Sequence, residues 1–369
     1  MRLKRMKNVL FGNGLNMKFG GNEYRNGEIL QRGFDILSQD KTMQILCPPE
    51  TLEFFNKMYE SASDVANGLY DDAADDCESE LHHFKINYGQ KSIDDIGQVG
   101  MEDYFLVLHL MFRWNRKYNS MEDAKKIFSI EQERMATECF RDLCLVGIYN
   151  LGNINNLSKR YSKEFISYIN DFDNVFTTNY DLNLDEVYNG TVQHIHGQFN
   201  ILDQLYDPHS FRNSLSDDQF RTHNLKNIPG YEYLHSTALM NYSGKSKFNY
   251  MMNEHRLNNL SMEDILALPA GSAKESEIKL ALEAKERMKK DSSLRFQEYD
   301  AYENFKKISG SLTIIGLSPE NDNHIFDQVN KLNTIFYYYS DEDKISAENT
   351  MKKSTSFKKV SDLWKKLES

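Results

Sequence analysis

The sequence predicts an α/β protein, a Rossmann-like parallel sheet with large helical insertions. Three observations lead there. Apolar, β-branched runs stop abruptly in glycine or polar residues at four places. These are Val9-Leu10-Phe11 into Gly12-Asn13-Gly14, Val175-Phe176 into Thr177-Thr178-Asn179-Tyr180-Asp181, residues 192–195 into His196-Gly197, and residues 312–315 into Gly316-Leu317-Ser318. Runs of this kind suit buried strands of a parallel sheet. The stretches between them carry helical patterning. Open α/β sheets bind ligands at the carboxyl ends of their strands, so the four ends are expected to meet around one nucleotide.

Taken in order, residues 8–11 form a strand, and Gly12-Asn13-Gly14-Leu15-Asn16 follows as a tight turn that lets backbone approach a ligand closely. The turn lacks GxxxxGK[ST], and Met17 stands where GxGxxG needs its third glycine. Residues 28–170 are mostly helical in pattern. Met135, Cys139, Leu143 and Val146 share one helix face, and residues 101–114 read as a buried helix. Cys47-Pro48-Pro49 interrupts the chain before a helical run from Thr51. The acidic run Asp71, Asp72, Asp75, Asp76, Glu78 and Glu80 reads as a solvated helix face, because no glycine-containing calcium loop accompanies it. His82 and His83 beside it read as surface.

Strand chemistry returns at residues 173–178. Asp181 either caps a short helix over 181–188, with Leu184 and Val187 inward, or lines the ligand pocket. Residues 192–197 form the next strand, with His194 and His196 on one face. His194 reads as a half-buried strand histidine; Gly197 allows a turn that presents His196. Residues 201–235 read as loop with short helices, placed as a lid. Residues 236–307 are helix-rich, broken at Pro269-Ala270-Gly271, with a solvated Ala/Glu/Lys helix over 274–290. After the strand at 312–315, Asn321, Asp322 or Asn323 caps a helix whose inner face is Ile325, Val329 and Leu332. A strand over 334–339 follows, then a final helix with Phe357, Val360, Trp364 and Leu367 on one side. The expected organisation is a core of residues 1–40 and 171–345, a helical insertion over 41–170, a second over 236–307, and a C-terminal helix over 346–369.

Composition narrows the function. The chain has 369 residues, 40% of them hydrophobic, enough for a sizeable core. A net charge of −11 argues against a protein that coats nucleic acid. It leaves room for one nucleotide, which needs no basic patch. Cys47, Cys77, Cys139 and Cys144 show no CxxC spacing and read as reduced thiols. Arg2, Lys4, Arg5 and Lys7 precede an apolar stretch too short for a signal peptide. No apolar run approaches the roughly 20 residues that span a bilayer. The expectation is a cytoplasmic protein with no metal and no direct nucleic-acid or membrane contact.

The order Gly-x-Gly, Thr-x-Asn-x-Asp, His-Gly, Gly-x-Ser resembles the NAD-binding domain of sirtuins. It is closer to the bacterial sirtuin-like proteins of phage defence, including the group related to abortive-infection proteins. The resemblance implies that Gly12, Asn13 and Gly14 wrap the diphosphate of NAD and that Asn16, after the glycine loop, also contacts the cofactor. It puts Thr177, Thr178, Asn179 and Asp181 at the nicotinamide-ribose pocket, makes His196 the catalytic histidine, and sets Gly316 and Ser318 on the adenosine side. Asp322 and His324, in a run that here reads Gly-x-Ser-x-x-x-Asp-x-His, resemble the close of a similar element in the bacterial relatives. There are departures: Thr178 replaces glutamine, Asn16 replaces serine, GIPxFR is missing, and so are the four zinc-binding cysteines.

Those losses imply cleavage of NAD itself rather than deacetylation. The expected activity is an NAD glycohydrolase yielding nicotinamide and ADP-ribose, acting in antiphage defence by NAD depletion. Asn179 would position ribose or water, His196 would act as base, and Asp181 would stabilise the pocket or the developing cation. Alternatives are a non-catalytic NAD or ADP-ribose sensor controlling a partner protein, and an ADP-ribosyl transferase. The helical insertions suggest a homo-oligomer and a phage-derived or operon-encoded activator.

Overall fold

Val9, Leu10 and Phe11 are wholly buried because β1 (Lys7–Phe11) lies inside the sheet with a strand on either side. The computed structural model describes residues 6–48, 50–74, 77–118, 130–200, 229–236, 238–239, 261–271, 297–318, 325–326, 329, 332–351 and 355–368, with single helical positions between 275 and 286. Among these residues, five more strands join β1: β2 (Asn174–Thr177), β3 (Val192–His194), β4 (Ser311–Ile315), β5 (Asn333–Tyr338) and β6 (Thr355–Lys359). The order is β3-β2-β1-β4-β5-β6 and every pairing is parallel. The protein is therefore α/β with a Rossmann-like sheet. Strand order reverses at β1, and the crevice at such a reversal is where these sheets hold ligands.

At the entry to the sheet a polar clip sets the register. Asn8 donates through Nδ2 to the carbonyls of Ser309 and Ser311, at 2.9 and 2.8 Å, and its Oδ1 accepts from Asn174 Nδ2 at 2.8 Å. This buried amide is satisfied by the two neighbouring strand starts, as buried polar groups generally are.

Side chains alternate between the two faces along each strand. Val9, Phe11, Val175 and Ile315 meet α1 (Gly14–Gly20), α8 (Lys163–Asn170) and α12 (Val360–Leu367) through Leu15, Phe165, Ile169, Leu363 and Trp364. Leu10, Phe176, Leu312, Ile314 and Phe336 face the other way. There they meet α10 (Gln297–Lys306), the helical turn at Ile325 and Phe326, and α11 (Asp341–Thr350). A short helix, α9 (Met262–Leu266), precedes α10.

Helices α2 (Asn26–Gln39), α3 (Lys41–Leu46), α4 (Glu50–Ala66), α5 (Glu78–Tyr88), α6 (Asp103–Tyr118) and α7 (Ile130–Tyr149) build a separate core. Leu30, Phe55, Val65, Phe84, Leu108, Phe140 and Leu143 are buried in it. Tyr180 and Phe199, which follow β2 and β3, belong to the same cluster, so the helices are joined to the carboxyl ends of those strands. No described helix is long and apolar enough to cross a membrane.

Two boundaries differ from the sequence reading. Residues 346–369 are not one helix: β6 occupies 355–359, and Phe357 lies in that strand. As an edge strand β6 has Thr355 and Phe357 half-buried and Ser356, Lys358 and Lys359 exposed. Lysine on an edge strand keeps other chains from pairing with it, and it also hides the strand from a hydrophobicity reading. Helix α8, inside the range assigned to the first insertion, packs on the sheet because it returns the chain to β2 as a crossover. Most of the expected lid over 201–235 and of the helix over 274–290 lies outside the described residues. Glu232–His235 of the former make a 3₁₀ turn.

Candidate active site

Two loops meet back to back at the sheet's reversal point. Gly12 N–H donates to the Ile315 carbonyl and Gly14 N–H to the Gly316 carbonyl, each at 2.9 Å. A Cβ on Gly12 would stand 2.5 Å from the Gly316 oxygen, and Gly316 itself has a φ of 77°. Only glycine fits this contact. Gly12 and Gly14 thus use their N–H groups within the protein, joining the first loop to the end of β4. From the end of β5, the Tyr339 hydroxyl donates to the Gly14 carbonyl at 2.7 Å. Burial pushes that hydroxyl up to about 12, which keeps it a donor at neutral pH.

The end of β2 is held from both sides. Thr178 N–H donates to the Phe11 carbonyl at 2.9 Å. Thr177 Oγ1 accepts from Asn179 N–H at 3.0 Å. His194 donates from Nδ1 to the Asn179 carbonyl at 2.9 Å, while its Nε2 lies 2.9 Å from Asp185 Oδ2. The main chain of Asn179 is fixed without help from its own side chain. That side chain is 6% exposed and its Nδ2 has no hydrogen-bond partner.

A second amide shares this condition. Asn16 is 4% exposed; its Nδ2 donates to Asp181 Oδ2 at 2.7 Å, and its Oδ1 is unpartnered. Leaving a buried polar atom unpaired costs about 1–3 kcal/mol. Two such atoms in one cavity are what a polar ligand would satisfy.

Asp181 is used differently. Residues 181–187 form turns rather than the expected short helix, so Asp181 caps none. Its Oδ1 accepts from Asn183 N at 3.0 Å and Asn183 Nδ2 at 2.5 Å, and its Oδ2 accepts from Asn16. Asn183 in turn donates to the Ile154 carbonyl and accepts from Ser158 N–H, which ties this turn to the 3₁₀ stretch Asn150–Arg160. Burial raises the Asp181 carboxyl above its ordinary 3.8, opposed by the bonds from Asn16 and Asn183 and by the charge of His194. The folded protein holds this proton more firmly than the unfolded chain does. Between 3.8 and the raised value, therefore, stability falls as pH rises. Asp181→Asn should flatten that part of the stability–pH curve, measured by urea unfolding from about pH 3.5 to about 7. An unchanged slope would place its source elsewhere.

All these ends open into one cavity of about 380 Å³, within the range of small-molecule sites. Asn13, Gly14, Asn16 and Met17 line it from the first loop, residues 178–181 from β2, His196 from β3, residues 316–318 from β4, and Tyr339 and Asp343 beyond β5. Gly197, with a φ of 91°, makes the turn that brings His196 there. Tyr24, Asn26, Ile29, Met101, Glu102 and Asp103 close it from the helical side, and the Tyr180 hydroxyl donates to Glu102 Oε1 at 3.0 Å across the seam. Glu102, Asp103, Asp181 and Asp343 are acidic; no lysine or arginine is found among the described lining residues.

The cavity brings together Asn179, Asp181, His196, Asn13, Gly14, Asn16, Thr178, Gly316 and Ser318. Gly12 and Thr177 stand behind it as supports. Asp322 and His324 lie outside the described residues. The sequence reading missed the wall at Tyr339 and Asp343, although Ser340-x-x-Asp343 is a capping box visible in the sequence and present in the fold. It also missed Glu102, Asp103 and the His194–Asp185 pair. Among the described residues no group of three or more His, Cys, Asp or Glu is arranged to hold a metal ion. Comparison with models of protein families, with curated proteins and with solved structures finds no match to this chain.

Proposed function

We propose that the protein hydrolyses NAD at the bond between nicotinamide and ribose. The observation that carries this reading is the pair of buried, unpartnered amide atoms, Asn16 Oδ1 and Asn179 Nδ2, beside His196 in a cavity at the sheet's reversal point. Nicotinamide departs with the bonding electron pair, which neutralises its ring, so no general acid is needed. The ribose carbon passes through an oxocarbenium-like centre. Water then bonds to that carbon and releases a proton, giving nicotinamide, ADP-ribose and H⁺.

Asn179 Nδ2 supplies the donor that orients the water or a ribose hydroxyl, and His196 takes the proton. The acidic lining favours the cationic centre electrostatically. The helical side, latched through Tyr180 and Glu102, closes the cavity around the bound dinucleotide. The biological role we assign is NAD depletion during phage infection, released by a phage-derived or operon-encoded activator, with the helical core as the surface for self-association.

Purified protein incubated with NAD, alone and with extract of phage-infected cells, should release nicotinamide and ADP-ribose in equal amounts by chromatography. NAD left intact in both settings would overturn hydrolysis. Tight binding without turnover in both would point to a sensor, and adenine label retained on macromolecules to a transferase.

A further inference from the structure

We infer that Asn16, and not Asp181, meets the ligand, its amide oxygen accepting from the carboxamide N–H of nicotinamide. This rests on the NAD reading above. Asn16 Nδ2 donates to Asp181 Oδ2, 2.7 Å away, and in its ionised form Asp181 can only accept, which holds the amide nitrogen on that side. The amide oxygen then points the other way, and it is buried without a partner. Asp181 has no comparable freedom: it is 4% exposed, and its two oxygens already take three donors from Asn16 and Asn183. Its part is to set the polarity of Asn16, which makes it a positioning residue.

The other unpartnered atom at the site, Asn179 Nδ2, is a donor. An amide oxygen fixed as acceptor at Asn16 matches the nitrogen of a primary carboxamide, which donates, and it leaves Asn179 Nδ2 for the water or ribose hydroxyl. A ribose hydroxyl offers either role to either atom, so the decisive probe changes the carboxamide alone.

The probe is 3-acetylpyridine adenine dinucleotide, in which a methyl replaces the amide NH₂. Dissociation constants for it, NAD and ADP-ribose are measured by calorimetry in a His196→Ala background that suppresses turnover. ADP-ribose has no carboxamide and reports whether each variant keeps the rest of the site. The parent should prefer NAD over the analogue by about 10- to 100-fold, the cost of an acceptor left unpaired. Asn16→Leu should bring that preference close to one with ADP-ribose affinity unchanged. Asp181→Asn frees the Asn16 amide to turn over, and should remove or reverse the preference. The double variant should go no further than Asn16→Leu alone, since the two act through one atom.

A preference that survives Asn16→Leu would overturn the assignment, and so would a parent that binds NAD and the analogue equally; either leaves the NAD reading standing. A double variant worse than both singles would return Asp181 to direct contact. A parent that binds neither NAD nor ADP-ribose would overturn the NAD reading and this inference with it.

Discussion

Asn179→Leu is expected to lower the rate of NAD cleavage by about 10²-fold, the order lost when a group that positions a reactant is removed, without destabilising the fold. The two effects separate because of how the residue is held. Its main-chain N–H is bonded to Thr177 Oγ1 and its carbonyl accepts from His194; neither bond involves its side chain. The side-chain donor has nothing to lose in the free protein, since Nδ2 has no partner there. Replacing it with an apolar group of similar size removes a buried unsatisfied donor, so stability should hold or rise by about 1 kcal/mol. Steady-state kinetics and urea unfolding of the same preparation check both halves. Cleavage within a few-fold of the parent would remove Asn179 from the chemistry, and a large loss of stability would show a structural role.

Arg141→Met should show the opposite pattern, with a loss of stability of about 3–5 kcal/mol. The guanidinium is 1% exposed, in the middle of α7. It donates to the carbonyls of Leu239, Leu234 and Ser236 at 3.1, 2.8 and 3.1 Å, and to that of Ala238 at 3.5 Å. Asp142 and Glu138 lie 3.5 and 3.8 Å away and balance its charge. Methionine fills part of the volume but leaves these buried carbonyls without their donor. The segment so released includes Tyr233, whose ring stacks on Tyr149 at 3.8 Å. Urea unfolding followed by circular dichroism reads the change. A loss below about 1 kcal/mol would mean that residues 234–239 are anchored by other contacts.

What the sequence disclosed, and what it hid, divides along physical lines. The strands over 8–11, 175–177 and 312–315 were legible because each places apolar side chains in both cores, and β3 because Val192 and Ile195 just after it reach opposite cores. Their polar ends were legible for the same reason: Asn179 or His196 directly after a buried run has to find a purpose. β6 was not, because only one of its edges is paired and its lysines face solvent. The turn after Asp181 was misread because Leu184 and Val187 sit at helical spacing, while the event that decides the backbone is the Asn183 amide closing on the Asp181 carboxylate. Glu102 and Asp103 reach the site from the start of α6 and the turn before it, far from the strand ends in sequence and with no local signal. His194 and Asp185 meet across a loop, and nothing in either neighbourhood announces the pair.

The acid-lined cavity also acts as a filter on ligand charge. A site that grips phosphate with lysine or arginine loosens as salt is added, because salt screens attraction. With four acidic side chains and no lysine or arginine among its described lining, this cavity has repulsion to screen instead. For the dinucleotide proposed here, ionic strength near 0.1 M, where charges are screened over about 10 Å, would ease entry. Each additional phosphate on the ligand would work against it. Selectivity against more highly phosphorylated nucleotides would then come from the lining itself, without a residue dedicated to rejecting them.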